Sequence, residues 1–149
     1  ICWGAQAALY HKFGIQKRNL PQKLFGIYPA HAVVENDMLL KGMDDTFYIP
    51  TSRHTEIDEE ALRKVQSVKI LAESPQAGVV IAKTTDNKSF FFTGHSEYDR
   101  FTLKSEYLRD LEKGLPISKP VNYFLDDSLD NVDMKWRSAA NLLFYNWLN

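Results

Sequence analysis

The sequence predicts an α/β layer architecture, because runs of strand length are interleaved with segments of helical periodicity. The strand signal is clearest in two apolar runs, Gly78 to Thr84 and Ser89 to Thr93, which flank the polar turn Asp86-Asn87-Lys88 and read as a β-hairpin. Val68 to Ala72 reads as a strand just before it. Four helices are expected around these strands. Gly4 to Phe13 is rich in Ala and Leu and is followed by Gly14, the residue type that most readily supplies a left-handed stop. Asp58 to Gln66 opens with acidic residues, which suit the positive end of a helix, and spaces Ala61, Leu62 and Val65 along one face. Thr102 to Lys113 is ended by Gly114 and Pro116. In the last segment Trp136, Ala139, Ala140, Leu143, Phe144, Trp147 and Leu148 recur at intervals of three and four, which marks one buried face.

Bulk properties bound the function. The 149 residues make one domain of ordinary size, 44% hydrophobic and 25% charged. Eighteen basic against nineteen acidic residues give a net charge of -1, with no polybasic run to track a phosphate backbone, so nucleic acid is not an expected partner. The longest apolar stretches, such as Ala139 to Leu148, are interrupted by Asn141, Tyr145 and Asn146 and fall short of the roughly 20 residues that span a bilayer. No membrane segment is expected. A single cysteine excludes an internal disulfide framework and fits a reducing compartment, hence a cytoplasmic location. The sequence starts at Ile1 rather than Met, with that cysteine second. A reactive cysteine on a frayed terminus would be unusual. Residues 1–149 are therefore expected to be a catalytic domain lacking an N-terminal portion.

Cys2 precedes a small-residue helix, the arrangement of a strand-turn-helix nucleophile elbow. A helix N-terminus there would stabilise a thiolate. Taken alone, a lone cysteine is more often a small buried hydrophobe. The context is Gly94-His95-Ser96-Glu97 at the end of the hairpin's second strand. A histidine beside a cysteine can take its proton and later deliver one to a leaving group, while a carboxylate two residues on fixes the imidazole. Cys2, His95 and Glu97 can fill those roles; equally, His95 could be a hydrogen-bonded turn residue and Glu97 a solvated carboxylate. His11, His31 and His54 show no metal-ligand spacing with Cys2, so no metal is expected.

At this point the sequence resembles a known family, the homoserine O-acyltransferases (homoserine O-succinyltransferases and O-acetyltransferases). The resemblance runs through Cys2-Trp3 with Gln6-Ala7-Ala8-Leu9, Lys23-Leu24-Phe25-Gly26, Asp44-Asp45-Thr46-Phe47 and Ser52-Arg53-His54-Thr55-Glu56. It continues through Gly94-His95 with Glu97-Tyr98-Asp99, Glu106-Tyr107 with Arg109-Asp110, Asn122-Tyr123-Phe124 and Asn146-Trp147-Leu148-Asn149. It implies a class I glutamine amidotransferase-like, flavodoxin-like layered sheet with a nucleophile elbow, of which this chain would be the C-terminal part. It implies ping-pong chemistry in which Cys2 carries an acyl group from acyl-CoA to the hydroxyl of a small amino acid, with His95 as base and Glu97 as its partner. By the same resemblance Lys23, Ser52 and Arg109 contact substrate, no tightly bound cofactor is needed, and the enzyme is a homodimer. Arg109 offers a planar fork for a carboxylate, and pairing with Glu106 is its structural alternative. Lys23 would otherwise be a solvated loop charge, and Ser52 plain turn chemistry. The backbone N–H of Trp3 is the candidate oxyanion donor, with a second donor expected upstream.

The sequence departs from the family at Thr51, where a histidine is expected, at Ser96, where a proline is, around Asp126 to Asp133, and at Ala140. The acceptor stays open between homoserine of methionine biosynthesis and serine of cysteine biosynthesis. The donor stays open between acetyl and succinyl, with a lean to acetyl. An amidotransferase-type hydrolase using the same three residues, or a non-enzymatic module with Cys2 inert, are the competing readings.

Overall fold

A computed structural model describes residues 1–149. The elements in chain order are α1 (Trp3–Phe13), β1 (Lys17–Ala32), a 3-10 turn (Met38–Leu40), β2 (Thr46–Ile57), α2 (Glu59–Arg63), β3 (Val68–Ser74), β4 (Gly78–Thr84), β5 (Phe90–Phe92), α3 (Thr102–Glu112) and α4 (Arg137–Leu148). All four expected helices and the three expected strands are present. Gly14 caps α1 at φ 70°, and Asp58 caps α2 by accepting from the Ala61 N–H.

The longest hairpin, β1 with β2, was not legible in the sequence. Pro21, Pro29 and Pro50 interrupt it, and proline cannot donate to a ladder. The structure accommodates each. Pro21 falls in a bulge, because Asn19 lies opposite Thr55 while Leu24 lies opposite Arg53. Pro29 is spared a second partner because β1 meets β3 only at His31 and Ala32. Pro50 stands on β2, the edge strand.

The sheet order is β2-β1-β3-β4-β5 and every pairing in it is antiparallel. The sheet curls until its two edges meet. The chain leaving β5 reaches β2, where the His95 N–H donates to the Pro50 carbonyl at 2.7 Å. Gly94 permits that approach: a Cβ there would lie 2.2 Å from Ile49 Cγ2 and 2.8 Å from the Pro50 oxygen.

Three apolar clusters fill the layers. Tyr28, Ala30, Phe47, Ile49, Leu71 and Leu143 form one. Leu9 and Ala5 of α1 pack on Ile57, Leu62, Val79 and Phe91 in a second. Phe25 and Ile27 meet Leu103, Tyr107, Tyr123 and Trp136 in the third. In α4 the expected apolar face is buried at Ala140 and Leu143, but Trp147 and Leu148 are 48% and 76% exposed. The helix outruns its core there and is held by polar bonds instead, from Asn146 Nδ2 to the carbonyls of Leu39 and Lys41.

Gly94→Ala should lower stability by about 1–3 kcal/mol, since backbone and a buried Ile49 must give way. Gly4→Ala meets nothing within 4 Å and sits in a helix, so it should be neutral or stabilising. Urea titrations of the two variants check the contrast.

Candidate active site

Cys2 caps α1 at φ 47° and ψ -117°, a positive-φ conformation that costs a non-glycine residue on the order of 1–3 kcal/mol. Its surroundings hold it there. The Cys2 N–H donates to the Phe92 carbonyl at 2.6 Å and the Cys2 carbonyl accepts from the Gln6 N–H at 3.0 Å. One turn into α1, Gln6 locks the helix to β2: its amide donates to the Thr55 carbonyl and accepts from Thr55 Oγ1. The turn and helix of the anticipated elbow are therefore present. The sulfur is buried, 4.0 Å from the Ser52 carbonyl oxygen.

His95 follows β5 and faces Cys2. Its ring stacks on Tyr98 with centroids 4.2 Å apart, and its Nδ1 lies 2.6 Å from Glu97 Oε1, which leaves Nε2 for the sulfur. Burial would discharge the imidazole, but the hydrogen bonds to Cys2 and Glu97 prevail and raise His95 to about 9. Burial likewise opposes the Cys2 thiolate, yet His95 and the Trp3 N–H together bring the thiol below its ordinary value. Glu97 is held below the usual carboxylate range, against its burial, by His95. Cys2, His95 and Glu97 are thus brought together, and in each the hydrogen bonds between them favour the charged form against burial. The Trp3 N–H is directed at the sulfur and has no backbone acceptor.

Lys23, Ser52 and Arg109 converge on α3. Lys23 and Ser52 occupy strands β1 and β2 rather than a loop and a turn. Lys23 Nζ lies over the Phe25 ring at 4.0 Å, 3.1 Å from Asp110 Oδ2 and 3.5 Å from Glu106 Oε2. Ser52 Oγ donates to Glu106 Oε2 at 2.5 Å. Arg109 pairs with Asp110 through Nε and Nη2 at 2.8 and 2.7 Å, not with Glu106 as its structural alternative had it, and its side chain is 52% exposed.

A family model for homoserine O-succinyltransferase matches residues 1–149. The chain belongs to this family. It is 57% identical over 150 residues to a homoserine O-acetyltransferase of Acetivibrio thermocellus and 52% identical to one of Phocaeicola vulgatus. Both matches cover 100% of this chain and 49% of the relative, so the chain spans about half the length of these curated relatives. Among solved structures it resembles a glutamine amidotransferase of Methylobacillus flagellatus, with a TM-score of 0.69 at 14% identity over 99% of this chain and 60% of that one. Another, from Thermotoga maritima, gives 0.67 at 17% identity over 99% and 58%. The fold is class I glutamine amidotransferase-like.

In this member of the homoserine O-succinyltransferase family four residues around the site were not assigned roles from sequence. Glu106 gathers Ser52, Lys23 and the Tyr98 hydroxyl, which donates to it at 2.7 Å. Burial and that bond push the Tyr98 phenol well above its ordinary value. Asp110 sits between Lys23 and Arg109, which lower its carboxyl against the effect of burial. Its signal was present: Leu103, Tyr107 and Asp110 share one buried face of α3, where an aspartate has no place without a partner. Arg53 is buried on β2. No group of three or more His, Cys, Asp or Glu is placed to hold a metal ion, and no helix is long and apolar enough to cross a membrane.

The raised His95 sets a pH window. A group whose folded value exceeds its unfolded one contributes fully below the unfolded value and loses that contribution as pH rises through the folded one. The pH-dependent part of the stability difference between wild type and His95→Gln should be largest below 6.5 and be lost above about 9. Thermal unfolding of both proteins at a series of pH values checks this; a difference that grows with pH would place a neutral imidazole in the resting site.

Proposed function

We propose that the protein is an O-acyltransferase that moves an acyl group from acyl-CoA to the side-chain hydroxyl of homoserine through a thioester on Cys2. The observation that carries the reading is the strained elbow holding Cys2 against a charged His95, itself oriented by Glu97, in a chain of the homoserine O-succinyltransferase family. The Cys2 thiolate attacks the acyl carbon, and the CoA sulfur leaves with the proton of His95 Nε2. The acceptor's hydroxyl then gives its proton to the neutral His95 and attacks the acyl carbon. The C–S bond breaks and Cys2 departs as thiolate, which restores the ion pair. Glu97 keeps one tautomer throughout. The Trp3 N–H is the oxyanion donor.

Ser52, Lys23 and Arg109 form the acceptor's side of the site. Arg109 binds the amino acid's carboxylate with its exposed edge, and Lys23 and Ser52 are held in position by Glu106 and Asp110. The names of the relatives favour acetyl as the donor group. The reading places the enzyme in methionine biosynthesis, in the cytoplasm, as a homodimer.

Incubation of the full-length protein with acetyl-CoA or succinyl-CoA, without acceptor, should give one acyl adduct by mass, lost in Cys2→Ser. An adduct that persists in Cys2→Ser overturns the assignment. Rates across both donors with homoserine, serine and water as acceptors then fix the specificity; a protein that only hydrolyses glutamine would be an amidotransferase-type hydrolase.

Arg109→Lys should raise the acceptor KM about tenfold or more while leaving the donor KM near its wild-type value, because a point charge loses the forked grip on a carboxylate. A change confined to the donor KM would move Arg109 to the CoA side.

A further inference from the structure

Two buried side-chain polar atoms have no hydrogen-bond partner, Thr51 Oγ1 and Arg53 Nε. They are two residues apart on β2 and so lie on one face of the strand, opposite the face from which Ser52 reaches Glu106. Native proteins carry few such atoms, and two neighbours beside a nucleophile call for a cause. Arg53 is 7% exposed. Its Nη1 and Nη2 donate to the carbonyls of Thr55 and Ala77, each at 2.7 Å. Both acceptors are neutral, and Arg53 takes part in none of the chain's ion pairs. A buried cation without a carboxylate is costly unless another negative charge faces it.

The acidic group placed to supply that charge is Cys2. The sulfur lies 4.0 Å from the Ser52 carbonyl, the peptide group that joins Ser52 to Arg53. Gln6, one turn into the elbow helix, donates to the same Thr55 carbonyl as Arg53. Among the groups acting on the Arg53 guanidinium, burial lowers it and Cys2 is the foremost that sustains it. The others are Glu56, Glu59 and Tyr28, of which Glu56 is engaged with Arg18 and Glu59 with Arg63 and the Val79 N–H. Against burial, His95 acts most strongly on Cys2 itself, then the Trp3 N–H, and Arg53 after them.

We infer that Arg53 is a positioning residue for the nucleophile, a buried and permanent cation on β2 that holds the Cys2 sulfur in its thiolate form. The two cations beside Cys2 then have different duties. His95 gives up its proton as the first product leaves and takes one from the acceptor, so its charge comes and goes. Arg53 is not deprotonated in proteins, so its field persists through both half-reactions. In the second, the acceptor oxygen bonds to the acyl carbon, the C–S bond breaks and the electron pair leaves on the Cys2 sulfur. A fixed cation makes that sulfur a better leaving group while His95 is engaged with the acceptor's proton. This last step rests on Cys2 being the acyl carrier; the effect on ionisation does not.

The test follows alkylation of Cys2 by iodoacetamide across pH in the full-length protein, with no acyl-CoA present. Arg53→Met keeps volume and removes charge. It should react about tenfold more slowly at mildly acidic pH, with its profile displaced to higher pH, whereas Arg53→Lys should be displaced less. A folded Arg53→Met whose profile superimposes on wild type overturns the inference. Should Arg53→Met fail to fold, the Nε–H resonance of Arg53 in the wild-type protein reads the same coupling. It should shift over the pH range in which Cys2 ionises and stay flat in Cys2→Ser; a wild-type resonance blind to that ionisation overturns the inference. A missing acyl adduct on Cys2 would leave this result standing, and an unchanged alkylation profile would leave the thioester reading standing.

Discussion

The site depends on one close contact, the approach of Gly94 and His95 to Ile49, Pro50 and Thr51. A flat sheet of order β2-β1-β3-β4-β5 would hold β2 and β5 at opposite edges. Curling brings them together, and the His95 N–H on the Pro50 carbonyl closes the seam. Cys2 is caught in it, its backbone on Phe92 and its sulfur over Ser52. A side chain at Gly94 would open the seam by an atom's width. His95 and Cys2 would then part, although neither had been altered.

Within that frame β2 sorts charge by the two-residue period of a strand. One face carries Thr51, beside Gly94, and Arg53, on the carbonyls of Thr55 and Ala77, while the other presents Ser52 toward α3. Ser52 serves both sides, since its carbonyl faces the sulfur and its hydroxyl holds Glu106. On the α3 side two carboxylates, Glu106 and Asp110, offset two cations, Lys23 and Arg109. The elbow side has two cations, His95 and Arg53, against one carboxylate, Glu97, and the thiolate. A negative sulfur would balance that side, and both cations favour its ionisation.

Local signals made the helices and the β3, β4 and β5 strands legible, because each carries its own period or stop: Gly14 for α1, Asp58 for α2, the Asp86-Asn87-Lys88 turn for the hairpin. The β1–β2 hairpin was hidden because its prolines are tolerated for reasons that lie outside its own sequence, a bulge and a free ladder edge. Cys2, His95 and Glu97 stood out as residue types, but the residues alone left a buried thiol and a turn histidine equally open, and it was the family resemblance that joined them into one site. Arg53 did not stand out. A charged residue in a polar stretch reads as solvated, and only the tertiary packing of Ala77 and α1 against it reveals that it is buried.

The segment between α3 and α4 has almost no regular structure, yet it helps to position His95. Val121 exchanges hydrogen bonds with β1, donating to Phe25 and accepting from Ile27, at the one place where Gly26 leaves room: a Cβ there would lie 2.4 Å from the Val121 oxygen. That docking places Tyr123, fully buried, with its hydroxyl on the Arg100 carbonyl. Trp136, 1% exposed, donates its indole N–H to the Tyr98 carbonyl at 2.9 Å. Tyr98 in turn stacks under His95 and binds Glu106 through its hydroxyl. The imidazole is therefore oriented from two directions, by Glu97 at its Nδ1 and by an aromatic floor whose position is set by residues far along the chain. An irregular segment can be held this firmly because its backbone groups are paired with a strand, and it is through Tyr98 that the third apolar cluster reaches the chemistry.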